Sequence, residues 1–495
     1  MSPPSTTPSS TTTVVEASEI AETVARAVRE GGRFAGLLGA ARPDAPPVLR
    51  AILAFPERFE IYESALATTR RLPALTPLVP AAAWYERELH DLLGIVPVGH
   101  PHLDPLVIPS DDRSLRRGEE GERGRAGGAT ARVGGTGVFS IPYGPVRSGV
   151  FESVEYRIET TGEEIHQLAP HVFYKHRGLE RRFRELPYED APLLAERVEG
   201  TCSVAHAVAF ARALECLGEV EVPRPAELLR VLHAELERIA VHLDSVIRHT
   251  EGAGQAEAFA RLSLHKERIQ RLRAQLCGHR FGRGVVVPGG VSGPPSADGR
   301  RVLDEVRRIQ AALADDLDAL MSTPSFLDRL HGTGVLAPEV VEAHGALGPV
   351  ARGSGLAEDS RLARPYGAYR DLDLEPAVLT REGDALARQQ VRLFEIGQSF
   401  HLVRQALDQL VEGAQGPWQI EVPPSRGLAL SWVEAPQGEL LYLVEAEPGH
   451  LVTVKPRTAS FHNLALFPQA FGGDIFTDFV FVEASFGLSI AGVSG

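Results

Sequence analysis

A short stretch that combines carboxylates, a cysteine and a histidine contains the residues best suited to chemistry in this chain. It reads Glu196-Arg197-Val198-Glu199-Gly200-Thr201-Cys202-Ser203-Val204-Ala205-His206. Apolar residues recur at helical spacing from Ser203, the predicted N-cap, so Cys202 is expected where a loop meets a helix. The helix dipole and the free amides at such a place stabilise a thiolate. A small buried residue at a tight helix junction is the alternative, since free cysteines are among the most buried residue types.

Glu199, three residues before Cys202, is the second candidate. A carboxylate beside a thiol can relay protons, whereas a helix-terminal charge that faces the dipole is the competing interpretation. The other two cysteines, Cys216 and Cys277, are expected to be packing residues. Three cysteines in 495 residues indicate a reducing compartment and no disulfide framework.

The composition limits the classes of function. With 495 residues, of which 43% are hydrophobic, the chain is long enough for two or three globular domains. No run of about 18 apolar residues occurs, so no transmembrane helix is expected. The net charge of −14 disfavours binding of nucleic acid and direct adhesion to an acidic membrane. The Pro/Ser/Thr-rich residues 1–17 predict a disordered tail and not a secretory signal, so we expect a cytoplasmic protein.

Hydrophobic periodicity predicts an α+β chain whose first folded module is a small α/β domain over residues 18–110. Helices are predicted over 17–30 and around 84–93, and strands over 47–54 and 59–65. The charged, Gly-rich residues 111–137 that follow contain almost no large apolar side chains. This composition predicts a flexible linker between two modules.

The second predicted module, residues 138–495, is dominated by long amphipathic helices. These helices are predicted over 226–249, 256–276, 301–321 and 384–410. Alternating residues predict antiparallel strands over 139–158 and 165–173, and a hairpin over 427–454. The pattern is typical of a helical bundle with smaller β elements.

Several motifs resemble those of one protein family. They are His176-Arg177-Gly178-Leu179-Glu180-Arg181, the stretch around Cys202, the sequence GPVARGSGLAEDSR over 348–361, and PYGAY over 365–369. They resemble the large subunit of group 4 [NiFe] hydrogenases and the 49 kDa subunit of respiratory complex I. The sequences WYERE over 84–88 and GHP over 99–101 resemble the 30 kDa subunit of complex I. The resemblance implies a helical-bundle domain like the hydrogenase large subunit, with peripheral antiparallel β elements, behind the α/β domain.

The resemblance fails at the nickel ligands. A [NiFe] centre needs four thiolates from two CxxC pairs, because nickel and low-spin iron are held by soft sulfur. Glu199 stands where the first cysteine is expected, and the last residues, Ile490–Gly495, contain no cysteine. We therefore expect no metal and no other cofactor in this chain. The resemblance implies a [4Fe-4S] cluster in a partner subunit.

In complex I the emptied metal site is the pocket for the quinone headgroup, and the resemblance implies which residues line it here. Arg147 and Tyr188 stand at the positions that contact the headgroup, and with Glu199 they are the expected catalytic residues. Cys202, His206, Arg352 and Asp359 are the expected pocket residues. A surface hairpin charge is the alternative for Arg147 and a packed ring for Tyr188. An internal ion-pair network is the alternative for Arg352, Asp359 and their neighbour Arg361.

The resemblance implies a redox subunit of a membrane-associated complex. It would pass electrons between the iron–sulfur cluster of a partner small subunit and a quinone-like or other small acceptor. Membrane subunits that move ions would be further partners and would hold the chain on the inner face of the cell membrane. A non-catalytic subunit that transmits conformational change is the alternative, and a hydrogenase with an atypical metal site is a weaker one.

Overall fold

Within its described residues, the N-terminal module contains six strands and two α-helices. The computed structural model describes residues 10–42, 45–66, 70–107, 137–147, 152–377, 380–413 and 416–495. Of the predicted linker 111–137 only Gly137 falls in these ranges, so that prediction lies outside the described residues. The elements of the module are β1 (Ser10–Val14), α1 (Ile20–Arg29), β2 (Arg33–Arg42), β3 (Ala45–Ala54), β4 (Phe59–Ala65), β5 (Arg71–Pro73), α2 (Ala83–Leu93) and β6 (Val96–Val98).

A four-stranded sheet in the order β1-β4-β3-β2 forms the centre of this module. The pairs β2–β3 and β3–β4 are antiparallel, whereas β1 runs parallel to β4 with Ser10 opposite Phe59. The expected disordered tail over 1–17 is therefore wrong for Ser10–Val14, and residues 1–9 lie outside the described ranges. The edge of β4 offers unpaired backbone groups, and threonine and valine favour strands, so this segment pairs although its side chains are mostly exposed.

The second module contains the remaining helices and strands that the structure describes. They are β7 (Phe139–Tyr143), β8 (Glu155–Thr160), β9 (Ile165–His171), α3 (Leu179–Glu185), α4 (Ala191–Ala195), α5 (Ser203–Leu217), α6 (Arg224–Gly252), α7 (Ala256–Cys277), β10 (Val286–Val287), β11 (Gly290–Val291), α8 (Gly299–Met321), α9 (Pro324–Leu330), α10 (Pro338–Ala343), α11 (Gly348–Arg352), α12 (Ser360–Ala363), α13 (Ala385–Val411), β12 (Gly427–Ala435), β13 (Gly438–Glu447), β14 (His450–Arg457), α14 (Ala459–Leu464), α15 (Phe479–Phe486) and α16 (Ile490–Val493). The predicted α+β class and the helical bundle are confirmed.

Helix α6 is the central element of the bundle. It packs against α13, α7 and α15, and its stripe of Leu229, Leu236 and Leu243 is buried. Residues spaced by seven positions return to the same face of a helix, so this stripe meets the neighbouring helices along the whole length of α6. The bundle in turn supports α5, the helix that begins beside Cys202.

The sheet β12-β13-β14 lies against α5 and is almost entirely buried. The sequence predicted a hairpin here, and the structure adds β14 as a third antiparallel strand. Ala435 pairs with Gly438, so Pro436 and Gln437 form a two-residue turn between β12 and β13. This turn carries Gln437 to the loop before α5.

The two modules share one continuous hydrophobic core. Phe59 of β4 packs on Trp432 of β12, with ring centroids 5.0 Å apart. Across the same interface the Tyr85 hydroxyl lies 2.8 Å from Nδ1 of His462. In the part of the chain that the structure describes, no helix is long and apolar enough to cross a membrane.

Candidate functional site

The loop between α4 and α5 brings Glu199 and Cys202 to the N-terminus of α5. Cys202 is the N-cap and Ser203 is the first helical residue, so the predicted capping role of Ser203 is wrong. The Ser203 hydroxyl donates back to the carbonyl of Gly200. Glu237 of α6 provides the cap instead, because its carboxylate accepts from the amides of Val204 at 2.9 Å and Ala205 at 3.0 Å.

The Cys202 side chain is a buried thiol and not the thiolate that its place at the helix N-terminus favoured. Burial, with the nearby carboxylates of Glu199 and Glu237, raises the pKa of this thiol well above its ordinary value. The thiol donates to Oε1 of Gln437 at 3.1 Å. The dipole of α5 is already compensated by Glu237, so the structure supports the alternative of a small buried residue at a helix junction.

Glu199 begins a buried chain of polar side chains. Its carboxylate accepts from Nε2 of Gln437 at 3.0 Å and from the Thr201 hydroxyl at 3.2 Å. It also lies 3.6 Å from Nε2 of His206. On the other side of the imidazole, Nδ1 of His206 is 2.8 Å from the Tyr442 hydroxyl. Carboxylate, imidazole and phenol thus follow one another, and a proton can move along them when the 3.6 Å gap between Glu199 and His206 closes to hydrogen-bond distance.

The C-terminal residues pack directly on this chain of side chains. Arg177 donates to the carbonyls of Val198 and Ala491, both at 2.7 Å, and so ties the loop before α5 to the start of α16. A Cβ atom placed on Gly492 would lie 2.6 Å from Oε2 of Glu199. A larger residue at this position would therefore require the Glu199 carboxylate to move.

A second carboxylate lies close to Glu199 in this packing. The Glu152 carboxylate accepts from the amides of Ile490 and Ala491. Burial and the charge of Glu199 raise the pKa of Glu152. Glu152 and Glu199 therefore approach the C-terminal residues from two sides, with Arg177 as the neighbouring cation.

The donor set here does not fit a [NiFe] centre. One thiolate position of four is present, and Gln437 takes the hydrogen bond of that thiol. Cys277 donates to the carbonyl of Arg273 within its own helix, and Cys216 lies in the last turns of α5. Across the described ranges no group of three or more His, Cys, Asp or Glu side chains is arranged to hold a metal ion.

Arg147 and Tyr188 take different positions in the fold. The Arg147 guanidinium donates to Glu483 of α15 at 2.9 Å and lies 5.2 Å from the ring centroid of Tyr143. Only 4% of its side chain is exposed, so the alternative of a surface hairpin charge is wrong. Tyr188 lies in a 3₁₀ turn, half-buried against the hydrophobic core, and burial raises the pKa of its phenol. This position agrees with the packed-ring alternative.

Arg352 and Asp359 belong to a buried ion-pair network. Arg352 lies 2.7 Å from Glu395 and 2.9 Å from Glu434, and Asp359 lies 2.7 Å from Arg361. Burial and the charge of Asp359 raise the pKa of Glu434 to about 7. The internal network, and not a site wall, is the interpretation that these contacts favour.

Several residues of the site were missed by sequence reasoning. Gln437 lies in a turn about 240 residues after Glu199, and Tyr442 lies in an apolar strand, so neither carried a local signal. Arg177 belongs to a motif that was noticed, but its contacts with the C-terminal residues were not predictable from spacing. The structure brings together Glu199, Cys202 and His206 as expected.

Two family models match the chain. The model of the respiratory-chain NADH dehydrogenase 30 kDa subunit matches residues 17–119, and that of the 49 kDa subunit matches residues 253–426. These matches follow the order of the two modules.

Curated relatives extend the match through most of the chain. Formate hydrogenlyase subunit 5 of Escherichia coli is 30% identical over 74% of this chain and 67% of its own length. Membrane-bound hydrogenase subunit alpha of Pyrococcus furiosus is 31% identical over 70% of this chain and 84% of its own length. The C/D protein of the NADH-quinone oxidoreductase of Nitrosospira multiformis is 27% identical over 86% of this chain and 79% of its own length. The chain therefore belongs to the family of group 4 hydrogenase large subunits and complex I 49 kDa subunits, with a 30 kDa-type module fused in front.

Proposed function

We propose that this chain is the redox subunit of a membrane-associated complex and passes electrons between a partner's iron–sulfur cluster and a quinone-like or other small acceptor. The observation that carries the proposal is the buried chain Glu199–His206–Tyr442 at the position of the family's metal site. A quinone takes up two electrons and two protons when it becomes a quinol. The iron–sulfur subunit supplies the electrons, and this chain supplies the polar route for protons.

The residues of this chain have separate tasks in the proposed reaction. In each of two transfers, a proton taken up by the Glu199 carboxylate is passed to the acceptor, and the carboxylate is reprotonated along the route through His206 and Tyr442. Two protons then accompany the two electrons. Arg177 is the cation next to Glu199 and Glu152, and it balances negative charge as the acceptor is reduced. Arg147 is already neutralised by Glu483, which weakens its expected role in holding a reduced anion. Tyr188 remains a candidate for contact with the acceptor.

The proposed complex has partners that the relatives' names suggest. One relative belongs to a membrane-bound hydrogenase and another to an NADH-quinone oxidoreductase. We propose an iron–sulfur small subunit that holds a [4Fe-4S] cluster, and membrane subunits that move ions. This chain holds no metal in the proposal and lies peripherally on the inner face of the cell membrane.

The first test is the turnover of a soluble quinone analogue by the purified, assembled complex. Glu199→Gln keeps the shape of the side chain but cannot carry the proton, so turnover should fall by about a hundredfold or more. Tyr188→Phe should reduce turnover if the phenol contacts the acceptor. Glu185→Gln is the matched control, because Glu185 is exposed on α3 and forms a surface pair with Arg181.

Elemental analysis of the same complex tests the metal content. Iron without nickel would agree with the proposal, because the iron would belong to clusters in partner subunits. Stoichiometric nickel that remains bound to this chain after the partners are removed would contradict it. Such a result would return the chain to hydrogenases with an atypical metal site.

A second candidate is a non-catalytic role in which the chain couples its partners mechanically. The close packing of Gly492 and Ala491 on Glu199 and Arg177 favours it, since these residues occupy space beside the polar chain. In that case Glu199→Gln and Tyr188→Phe would leave turnover unchanged in a complex that still assembles. Loss of turnover in Glu199→Gln, with assembly intact, would exclude this candidate.

A further inference from the structure

A cavity lies between α5, α6 and the end of β12. The space between its walls, with the open mouth included, is about 490 Å³. The walls come from α5, α6, the turn over 366–369 and the end of β12, and they include Val208, Arg212, Glu227, Val231, Tyr366 and Pro436. Along α5, Val208 and Arg212 line the cavity, whereas Cys202 and His206 contact the Glu199 site.

Arg212 is the unusual group in this cavity. Its guanidinium lies over the rings of Tyr366, at 4.8 Å, and Trp432, at 6.0 Å. It makes no hydrogen bond or ion pair with any residue that the structure describes, and its Nε is buried without a partner. The neighbouring Arg230 differs sharply, because it donates to both oxygens of Glu215 and to the carbonyls of Val287 and Gly290. The side chain of Arg212 is half-buried and its buried Nε has no acceptor, so a ligand in the cavity can supply one.

The other polar groups on the cavity wall limit the charge of a ligand that can bind there. Glu227 lines the cavity without an ion pair to Arg212 or any other described residue, and burial raises the pKa of its carboxyl. A second negative charge in a ligand would face this carboxyl group. The Tyr366 hydroxyl accepts from the amide of Glu434 at 2.9 Å, which leaves its own hydrogen to donate. Arg230, Glu434 and Tyr369 also line the cavity, but each is engaged by another side chain, namely Glu215, Arg352 and Glu235. The groups left for a ligand are one cation, one donor and one opposing carboxyl, which favour a ligand with a single negative charge.

We propose that this cavity is a binding site for a small organic monocarboxylate. The planar fork of Arg212 matches a carboxylate with two parallel hydrogen bonds, and stacking on two rings holds the fork in place. The short apolar part of the ligand lies on Val208, Val231 and Pro436. Pro436 precedes Gln437, so a bound ligand contacts the turn that reaches Cys202 and Glu199. Binding itself does not depend on the proposed redox function.

The direct test is a titration of the full chain with propionate, in which binding is measured by calorimetry or by saturation-transfer NMR. Saturable binding is expected, and Arg212→Met should weaken it by about tenfold or more through loss of the charge-assisted pair. Arg212→Lys keeps the charge without the fork and should bind with intermediate affinity. Arg261→Met is the matched control, since Arg261 pairs with Glu257 and Asp316 on the exposed face of α7. Binding that is equal in native protein and both Arg212 variants would overturn the proposal.

Two further measurements remain decisive if Arg212→Met fails to fold. Glu227→Gln should allow succinate, a dianion, to bind at least about tenfold better than it binds to the native chain, because the opposing carboxyl is gone. In crystals soaked with 3-bromopropionate, the anomalous bromine peak should lie inside the cavity. A peak elsewhere, or no saturable binding of propionate to the native chain, would show that the cavity holds only water and would overturn the proposal.

Discussion

Gln437 is the residue that satisfies two buried groups at once. Its amide oxygen accepts from the Cys202 thiol and its amide nitrogen donates to the Glu199 carboxylate. An amide has an acceptor and a donor on opposite sides, so a thiol and a carboxylate are matched by one side chain. This pairing explains how a buried thiol and a buried carboxylate lie side by side in the interior.

Gln437→Leu should destabilise the chain by about 1–3 kcal/mol, because both partners remain buried and lose their hydrogen bonds. The shift of the urea unfolding midpoint measures this loss. Gln469→Leu is the control, since Gln469 is exposed and its replacement should shift the midpoint little. Equal midpoints for Gln437→Leu and the native chain would mean that the amide is not engaged as described.

Cys202 should resist alkylation in the folded chain. Its thiol is buried and its pKa is raised, and the thiolate is the reactive form. With iodoacetamide, followed by mass spectrometry of peptides, Cys216 and Cys277 should react first, because both are partly exposed. Cys202 should be labelled only after denaturation. Rapid labelling of Cys202 in the native state would restore the thiolate that the sequence suggested.

That thiolate expectation shows where sequence reasoning about the site reaches its limit. The position of Cys202 at a helix N-terminus was predictable from the apolar spacing after it. The carboxylate of Glu237 that caps α5 lies one helix later in the chain, and no local pattern reveals which residue will reach the cap. Burial and the neighbours of a group decide its pKa, and both are tertiary properties.

At the scale of elements, the β12–β13 hairpin is held on both sides of its turn by buried charges. Glu434 at the end of β12 pairs with Arg352, and Glu439 on β13 is surrounded by Arg33, Arg364 and Arg457. These arginines hold the pKa of Glu439 well below its ordinary value. The two anchors flank the turn that carries Gln437, so they fix its approach to Cys202.

Glu439→Gln should cost about 3–5 kcal/mol of stability, since buried arginines would lose the carboxylate that balances them. Thermal unfolding of the variant should show a clearly lower midpoint. Glu447→Gln on the same strand is the control, because Glu447 forms an exposed pair with Arg426 and contributes little. Similar midpoints for both variants would contradict the anchoring role of Glu439.

The long helices were predictable and the short strands were not. Each of the four long amphipathic helices lies within three residues of its predicted bounds, since a stripe repeated over many turns is a strong signal. β1 and the ten-residue β2 were not predicted, and β14 was predicted only as part of a hairpin over 427–454. β1 is an exposed edge strand rich in threonine, and β14 follows a tight turn whose residues have no distinctive pattern. Strands of this kind depend on the partner that they pair with.

At the scale of the whole molecule, the interface between the modules should be sensitive to acid. Nε2 of His462 donates to the carbonyls of His344 and Gly345, and Nδ1 accepts from the Tyr85 hydroxyl, so the ring is neutral. Burial and the charges of Arg457 and Arg33 lower the pKa of His462 to about 3. The unfolded chain takes up this proton near pH 6.5. The stabilising contribution of the neutral His462 ring is therefore complete above pH 6.5 and falls as the pH drops towards 3.

The expected slope from His462 is about 1.4 kcal/mol per pH unit between these two values. Urea unfolding midpoints at pH 7, 6 and 5 should show a weaker dependence on pH in His462→Gln, which cannot take up the proton. Glu434, with a pKa raised to about 7, makes the stability fall as the pH rises, which is the opposite trend. This contribution is the same in the native chain and in His462→Gln. His450→Gln, at an exposed position, should keep the native slope. An unchanged slope in His462→Gln would contradict the buried neutral ring.

The family resemblance predicted two modules, and the periodicity separated them in the chain. What it did not predict is how closely they join: Phe59 packs on Trp432 and Arg33 pairs with Glu439 across the interface. Contacts between residues so far apart in sequence leave no trace in local patterns. The fold of each module could thus be predicted from the sequence, whereas the hydrophobic core that the modules share could not.

The salt bridge between Arg33 and Glu439 has a consequence for folding during translation. The two residues are separated by 406 positions, and ribosomes add about 5–20 residues per second. The face of β2 that bears Arg33 therefore emerges roughly 20–80 seconds before the strand that covers it has been synthesised. During that interval Phe59, which later packs on Trp432, also stays uncovered, and exposed apolar surface of this kind makes a nascent chain prone to aggregation.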